Sequence, residues 1–172
     1  LVTGQGKYTS DWNLPGQLHA YFLRSDRAHA EIVSIDTARA AASPGVAAVL
    51  TGADTARAGF KSTPQLARYP GRGGATIKVP HRDGLANGHV RFVGQEVALV
   101  VANSAAAAQD AAEKIEVAYR DLPVVVDAEA ALGAGAEQIY PEIPGNLCFD
   151  YEYGDEAKTA EAISRAAHVT RV

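Results

Sequence analysis

The stretch HVRFVGQEVALVVANSAAAAQDAAEKIEVAY, residues 89–119, decides the fold. Val97 to Ala102 is an unbroken apolar run, far too short to cross a membrane and of the right length for a buried strand. His89 to Val93 reads as a second strand, with Gly94-Gln95 as the bend between the two. Asn103 or Ser104 then caps a helix from Ser104 to Lys114. A short polar side chain accepts from the free N–H groups of a first helical turn, and the alanines that follow are strong helix formers. Ile115 to Tyr119 alternates apolar and polar residues, the pattern of a half-buried strand.

Working outward towards the N-terminus, Gln17 to Arg24 and Ala30 to Ile35 alternate in the same way. Asp36 is an N-cap for a short helix over Thr37 to Ala42, which Ser43-Pro44-Gly45 ends. Val46 to Leu50 is a buried strand, and Thr51 to Asp54 leads into a short helical turn. Residues 59–88 form a long excursion rich in Pro and Gly, with one brief strand expected at Thr76 to Val79. Long loops in compact domains are usually functional or lie at an interface.

Towards the C-terminus, Val124 to Val126 is expected as a short strand. Asp127 caps a short helix reaching Leu132, and Gly133 to Gly145 is a linker. Asn146 to Tyr153 alternates as a strand, and Gly154-Asp155 caps a helix over Glu156 to Ala167. The chain has no methionine and opens on Leu1-Val2-Thr3, while Ala166 to Val172 reads as a helix leading into a strand. It is therefore expected to be a piece of a longer protein.

Composition excludes several classes. The net charge of -4 and scattered Lys and Arg argue against a nucleic-acid partner. The single cysteine, Cys148, rules out an internal disulfide or an all-cysteine metal site; between Leu147 and Phe149 it is expected to be a small buried hydrophobe. The cytoplasm is the favoured compartment.

The residues offer little independent chemistry. His19, His29, His81, His89 and His168 show no metal-ligand spacing, and His19 and His29 suit structural hydrogen bonding. Asp150 and Glu152, with Asp155 beyond them, are expected on a solvated face. Gly71-Arg72-Gly73-Gly74 lacks the strand–loop–helix setting of a phosphate cradle, and Gly4-Gln5-Gly6 lacks that of a dinucleotide fingerprint. There is no Gly-x-Ser-x-Gly nucleophile elbow.

The wording of the chain nevertheless resembles one family. Gly4-x-Gly6-x-Tyr8-x-x-Asp11, Leu14-Pro15-Gly16-Gln17-Leu18-His19-Ala20 and Arg24-Ser25-x-x-Ala28-His29-Ala30 are similar to the opening of the large subunits of aldehyde oxidase, xanthine dehydrogenase and aerobic carbon monoxide dehydrogenase. Ser34-Ile35-Asp36, Pro44-Gly45-Val46-x-Ala48-Val49-Leu50-Thr51-Gly52, Leu85-Ala86 and Val90-Arg91-Phe92-Val93-Gly94-Gln95-x-Val97-Ala98 follow in order. So do Ala111-Ala112-Glu113-x-Ile115-x-Val117-x-Tyr119-x-x-Leu122-Pro123, then Asn146 and Gly154-Asp155. Gln95 departs from the glutamate often found there.

The resemblance implies an α+β fold. Residues 1–132 would form an α/β hammerhead domain, 133–145 a linker, and 146–172 the start of a molybdopterin-binding domain, truncated. It also implies a parent oxidoreductase that hydroxylates aldehydes or aromatic heterocycles with oxygen from water, or oxidises carbon monoxide. The parent complex would hold a molybdenum–pterin dinucleotide, with 2Fe-2S clusters and FAD on partner domains or subunits, and would be a homodimer without membrane insertion. No catalytic, cofactor-binding or metal residue is carried over to this stretch. It is expected to be inactive alone and to pack against the remainder of the large subunit. Two other readings stay open: a free-standing binding or scaffold module with a hammerhead fold, and a hydrolase using His and Asp residues.

Overall fold

A computed structural model describes residues 2–65 and 69–171. Leu1, Val172 and part of the 59–88 excursion, 66–68, lie outside the described residues. The order is β1 (His19–Arg24), β2 (Ala30–Asp36), α1 (Ala38–Ala41), β3 (Val46–Thr51) and α2 (Gly52–Arg57), then β4 (His89–Val90), β5 (Glu96–Ala102), α3 (Ala105–Ala112), β6 (Glu116–Asp121) and α4 (Glu156–Ser164). The strands make two three-stranded antiparallel sheets, one ordered β1-β5-β3 and the other β4-β2-β6.

β5 occupies the centre of the first sheet because it is apolar on both faces. Ala98, Val100 and Ala102 are fully buried and point at α3. Ala108, Ala111 and Ala112 of α3 answer them, and Ala40 of α1 closes the layer. Alanine facing alanine lets the helix backbone lie close on the sheet. Burying a side chain such as Val100 stabilises the fold by roughly 1.5–3 kcal/mol. Ser104 starts α3 as a cap, its hydroxyl accepting from the Ala107 N–H at 3.2 Å.

A second cluster, of Ala30, Ala86, Val90 and Val97, sits between β2, β4 and β5. Ile35 and Val117 pack against both clusters, so the two sheets share one continuous interior. β2 carries a bulge between Ile32 and Ser34, where it meets β6. The extra residue, Val33, is left 61% exposed, so the apolar alternation fails there.

Gly52, buried at the start of α2, sits under the other end of the excursion. A Cβ there would lie 2.2 Å from the Ala86 carbonyl oxygen, a contact that only glycine avoids. The Thr51 N–H and hydroxyl both donate to the Asp54 carboxylate at 2.8 Å. These bonds hold the Asp54 carboxyl below its usual range.

Several expected elements differ. Thr76 to Val79 and Val124 to Val126 build no continuous ladder and form no strand, and β4 is two residues rather than five. The helix expected after Asp127 is a single 3-10 turn, Ala130–Leu132, although Asp127 does cap it through the Ala130 N–H at 2.7 Å. Asn146 to Tyr153 is not a strand, because the segment beside it, 72–78, offers it only two backbone hydrogen bonds, too few for a ladder. α4 is capped by Asp155 as expected, yet none of its residues is buried. The 59–88 excursion ends earlier than its composition suggests: Leu85 and Ala86 are core residues, 4% and 1% exposed.

Ala108→Leu places three extra carbons between α3 and β5. It is expected to lower the free energy of unfolding by about 1–3 kcal/mol in urea titration. An unchanged midpoint would mean that the helix does not lie close on the sheet.

Candidate functional site

The histidines are dispersed. His29 is 5% exposed, and its Nδ1 lies 2.8 Å from the Pro123 carbonyl oxygen. A carbonyl can only accept, so Nδ1 carries the proton and the ring ties the start of β2 to the end of β6. His19 and His89 lie half-buried in β1 and β4. His81 is exposed beside Asp83, and His168 is exposed beside Thr170. Among the described residues no three His, Cys, Asp or Glu side chains are grouped as a metal site requires. The donors of the described residues therefore do not make a metal site.

Cys148 is half-buried rather than fully buried, between an exposed Leu147 and an exposed Phe149. With no strand around it, the segment has no second layer to cover the thiol. Cys148 lines a shallow apolar hollow of about 290 Å³ with Val125, Ile139, Tyr140 and Ile143.

Gly71-Arg72-Gly73-Gly74 folds as one tight turn, and its cation is already engaged. The Arg72 guanidinium meets Asp150 at 3.1 Å and Glu152 at 3.2 Å. The carboxylates expected on a solvated face are exposed, and they are paired there with the excursion. Asp155 instead caps α4, and the Lys158 N–H bond lowers its pKa.

Two side chains to which the sequence assigned no structural role, Asn146 and Arg91, organise the Gly133 to Gly145 stretch. Asn146 adopts φ 56°, a left-handed conformation that asparagine tolerates better than most residues. Its Oδ1 accepts from the Ile139 N–H at 3.0 Å, and its Nδ2 donates to the Ala131 and Glu137 carbonyls at 3.0 and 2.8 Å. Arg91 donates to the Ile139 carbonyl at 3.1 Å and lies 4.7 Å from the centre of the Tyr140 ring. Ile143 is 2% exposed, so the stretch is folded back against the domain. Gln95, also buried, closes the turn before β5: its Oε1 accepts from the Arg91 N–H at 2.7 Å.

The feature with the character of a site is an uncovered apolar face. On the side of the first sheet opposite α3, Phe22, Leu99 and Leu50 form one cross-strand row, and Ala20, Val101 and Ala48 form the next. Phe22 and Leu50 remain 41% and 37% exposed. Contiguous exposed apolar surface of this kind marks an interaction face.

The chain matches the family model described as aldehyde oxidase and xanthine dehydrogenase, a/b hammerhead domain, over residues 3–123. It is 40% identical to the nicotine 6-hydroxylase large subunit of Paenarthrobacter nicotinovorans, over 98% of this chain and 20% of that one. Quinoline 2-oxidoreductase from Pseudomonas putida 86 superposes with a TM-score of 0.67 at 48% identity, covering 76% of this chain and 16% of that one. Carbon monoxide dehydrogenase from Oligotropha carboxidovorans superposes with a TM-score of 0.72 at 37% identity, covering 97% and 21%. The chain spans about a fifth of the length of the relatives it matches.

One contact between the excursion and the tail depends on pH. The Glu142 carboxylate accepts from the His81 N–H at 2.9 Å, and that bond holds its pKa below the usual range. A depressed carboxylate pKa contributes stability that is complete above the ordinary value and is lost as pH falls through the folded value. Glu142→Gln is expected to flatten that acid limb in urea unfolding followed from neutral pH down to about pH 3. The cost at neutral pH should be under about 1 kcal/mol, because the carboxylate faces solvent. An acid limb identical to that of the unsubstituted chain would exclude the contact.

Proposed function

The chain belongs to the aldehyde oxidase and xanthine dehydrogenase a/b hammerhead family, and from that membership we propose that it is an architectural part of the large subunit of a molybdenum-containing hydroxylase. Residues 1–132 are the hammerhead domain, 133–145 the connection, and 146–172 the opening of the molybdopterin-binding domain. The single observation that carries the architectural role is the bare row Phe22, Leu99 and Leu50. α4 supports it, since a helix that buries nothing, with Ile163 52% exposed, needs another surface to complete its core.

The whole protein, on this reading, is an oxidoreductase that hydroxylates an aldehyde or an aromatic heterocycle with oxygen from water, or oxidises carbon monoxide. Nicotine 6-hydroxylase and quinoline 2-oxidoreductase among the relatives favour the heterocycle. A molybdenum–pterin group held elsewhere in the subunit would supply two-electron oxidation, and iron–sulfur and FAD partners would take up the electrons. This stretch supplies no ligand or base to that reaction. Its part is to present the Phe22 face to the remaining domains of the large subunit and to partner subunits. No helix among the described residues is long and apolar enough to cross a membrane, and the proposed setting is a cytoplasmic complex, homodimeric through its large subunit.

Two measurements test this. The complex isolated from its source with an antibody to this domain is expected to contain about one molybdenum per large subunit. The 172-residue chain alone is expected to retain none. Near-stoichiometric metal on the chain alone, or none in the captured complex, would overturn the assignment. In the full complex, Phe22→Glu is expected to abolish co-purification of the large subunit with its partners, or to leave the large subunit insoluble; normal assembly would remove the Phe22 face from the interface.

A further inference from the structure

The excursion and the tail are joined by more than proximity. The Arg72 N–H donates to the Asp150 carbonyl at 2.8 Å, and the Lys78 N–H donates to the Cys148 carbonyl at 2.8 Å. Residue 72 faces 150 and residue 78 faces 148, so the two segments run antiparallel. The five residues between the two donors are taken up by the turn, in which the Gly71 N–H donates to the Ala75 carbonyl at 2.8 Å. The Tyr69 and Tyr151 rings meet edge-on-tilted with centroids 5.6 Å apart. Around this backbone pairing, one guanidinium is shared between the Asp150 and Glu152 carboxylates.

From these contacts we propose that residues 69–78 are a strap, and that Arg72 is the ionic latch that holds it across the tail at 148–152. The strap fixes the direction in which the chain leaves the domain, and it opens when the latch is broken. The inference rests on the packing of this chain alone and stands or falls independently of the proposed chemistry.

Three physical points support it. The backbone pairing is only two hydrogen bonds wide, and a pairing that short is marginal without side-chain reinforcement. A single exposed ion pair adds little, but one arginine between two carboxylates forms a small network, the case in which surface charge counts. Gly71 is required for the approach: a Cβ there would come 2.9 Å from the Ala75 carbonyl oxygen and 3.2 Å from that of Asp150. By contrast, α4 beyond the strap has no buried residue, so nothing else in the described chain holds the tail after Asp150.

Amide hydrogen exchange on the 172-residue chain tests the latch, because the Arg72 and Lys78 amides report the strap directly while Val100 in β5 reports the core. In the unsubstituted chain both strap amides are expected to be protected, and to exchange faster as salt is raised to about 1 M, where charges are screened beyond about 3 Å. Arg72→Glu is expected to speed their exchange about fivefold or more, with Val100 unchanged. The charge-swapped variant, Arg72→Glu with Asp150→Arg and Glu152→Arg, is expected to restore protection. Unprotected amides at Arg72 and Lys78 in the unsubstituted chain would overturn the proposal. So would exchange there that is indifferent to salt, or that rises only together with Val100.

Discussion

Everything in this domain hangs on how closely α3 lies on β5. The contact is made by alanines on both sides: Ala98 and Ala102 on the strand, Ala108, Ala111 and Ala112 on the helix, with Val100 filling the centre. Small side chains bring the two backbones together, so each methyl makes many short dispersion contacts and little volume is left for error. Because β5 is also the middle strand of its sheet, the same contact fixes β1 and β3 through hydrogen bonding. Ile35 and Val117 then extend that order to the second sheet.

The opposite side of β5 shows what this arrangement leaves undone. One end, at Val97, is covered by Ala86, Ala30 and Val90, whereas the rows through Leu99 and Val101 stay open. A domain that completes one face of its central sheet and leaves the other bare behaves like half of an interface. That asymmetry, more than any polar cluster, ties the fold to a role inside a larger assembly.

The parts of the fold that were legible in the sequence are those with local causes. β5, β1, β2, β3 and β6 follow from runs and alternation, and Ser104, Asp127 and Asp155 each accept the first-turn bond that a cap provides. The division into two sheets was not legible, because alternation says which side chains share a face and not which strands are neighbours. Asn146 to Tyr153 shows the limit most clearly: its alternation is that of a strand, but a strand exists only where a ladder partner lies alongside. The pairing of Arg72 with Asp150 spans 78 residues, and neither residue carries a local mark of the other. As for the candidate site, the histidines and acids that stood out by type proved dispersed or structural. The open row was written in Phe22, Leu50 and Leu99, but it needed strand register to become a surface.

Gly52 and Ala86 have a consequence for how such a domain can change over time. They clamp the two stems of the excursion against each other, and the Ala86 N–H is further fastened to the Glu96 carbonyl at 2.7 Å. With its stems fixed, the intervening segment is a closed loop whose ends no longer depend on its contents. Doubling such a loop costs only about 0.6 kcal/mol in closure entropy. Insertions, deletions and wholesale exchange of residues between the stems can therefore be sampled without disturbing β3, β4 or β5. The clamp makes this stretch the place where one scaffold can be fitted to different neighbours while its core stays the same.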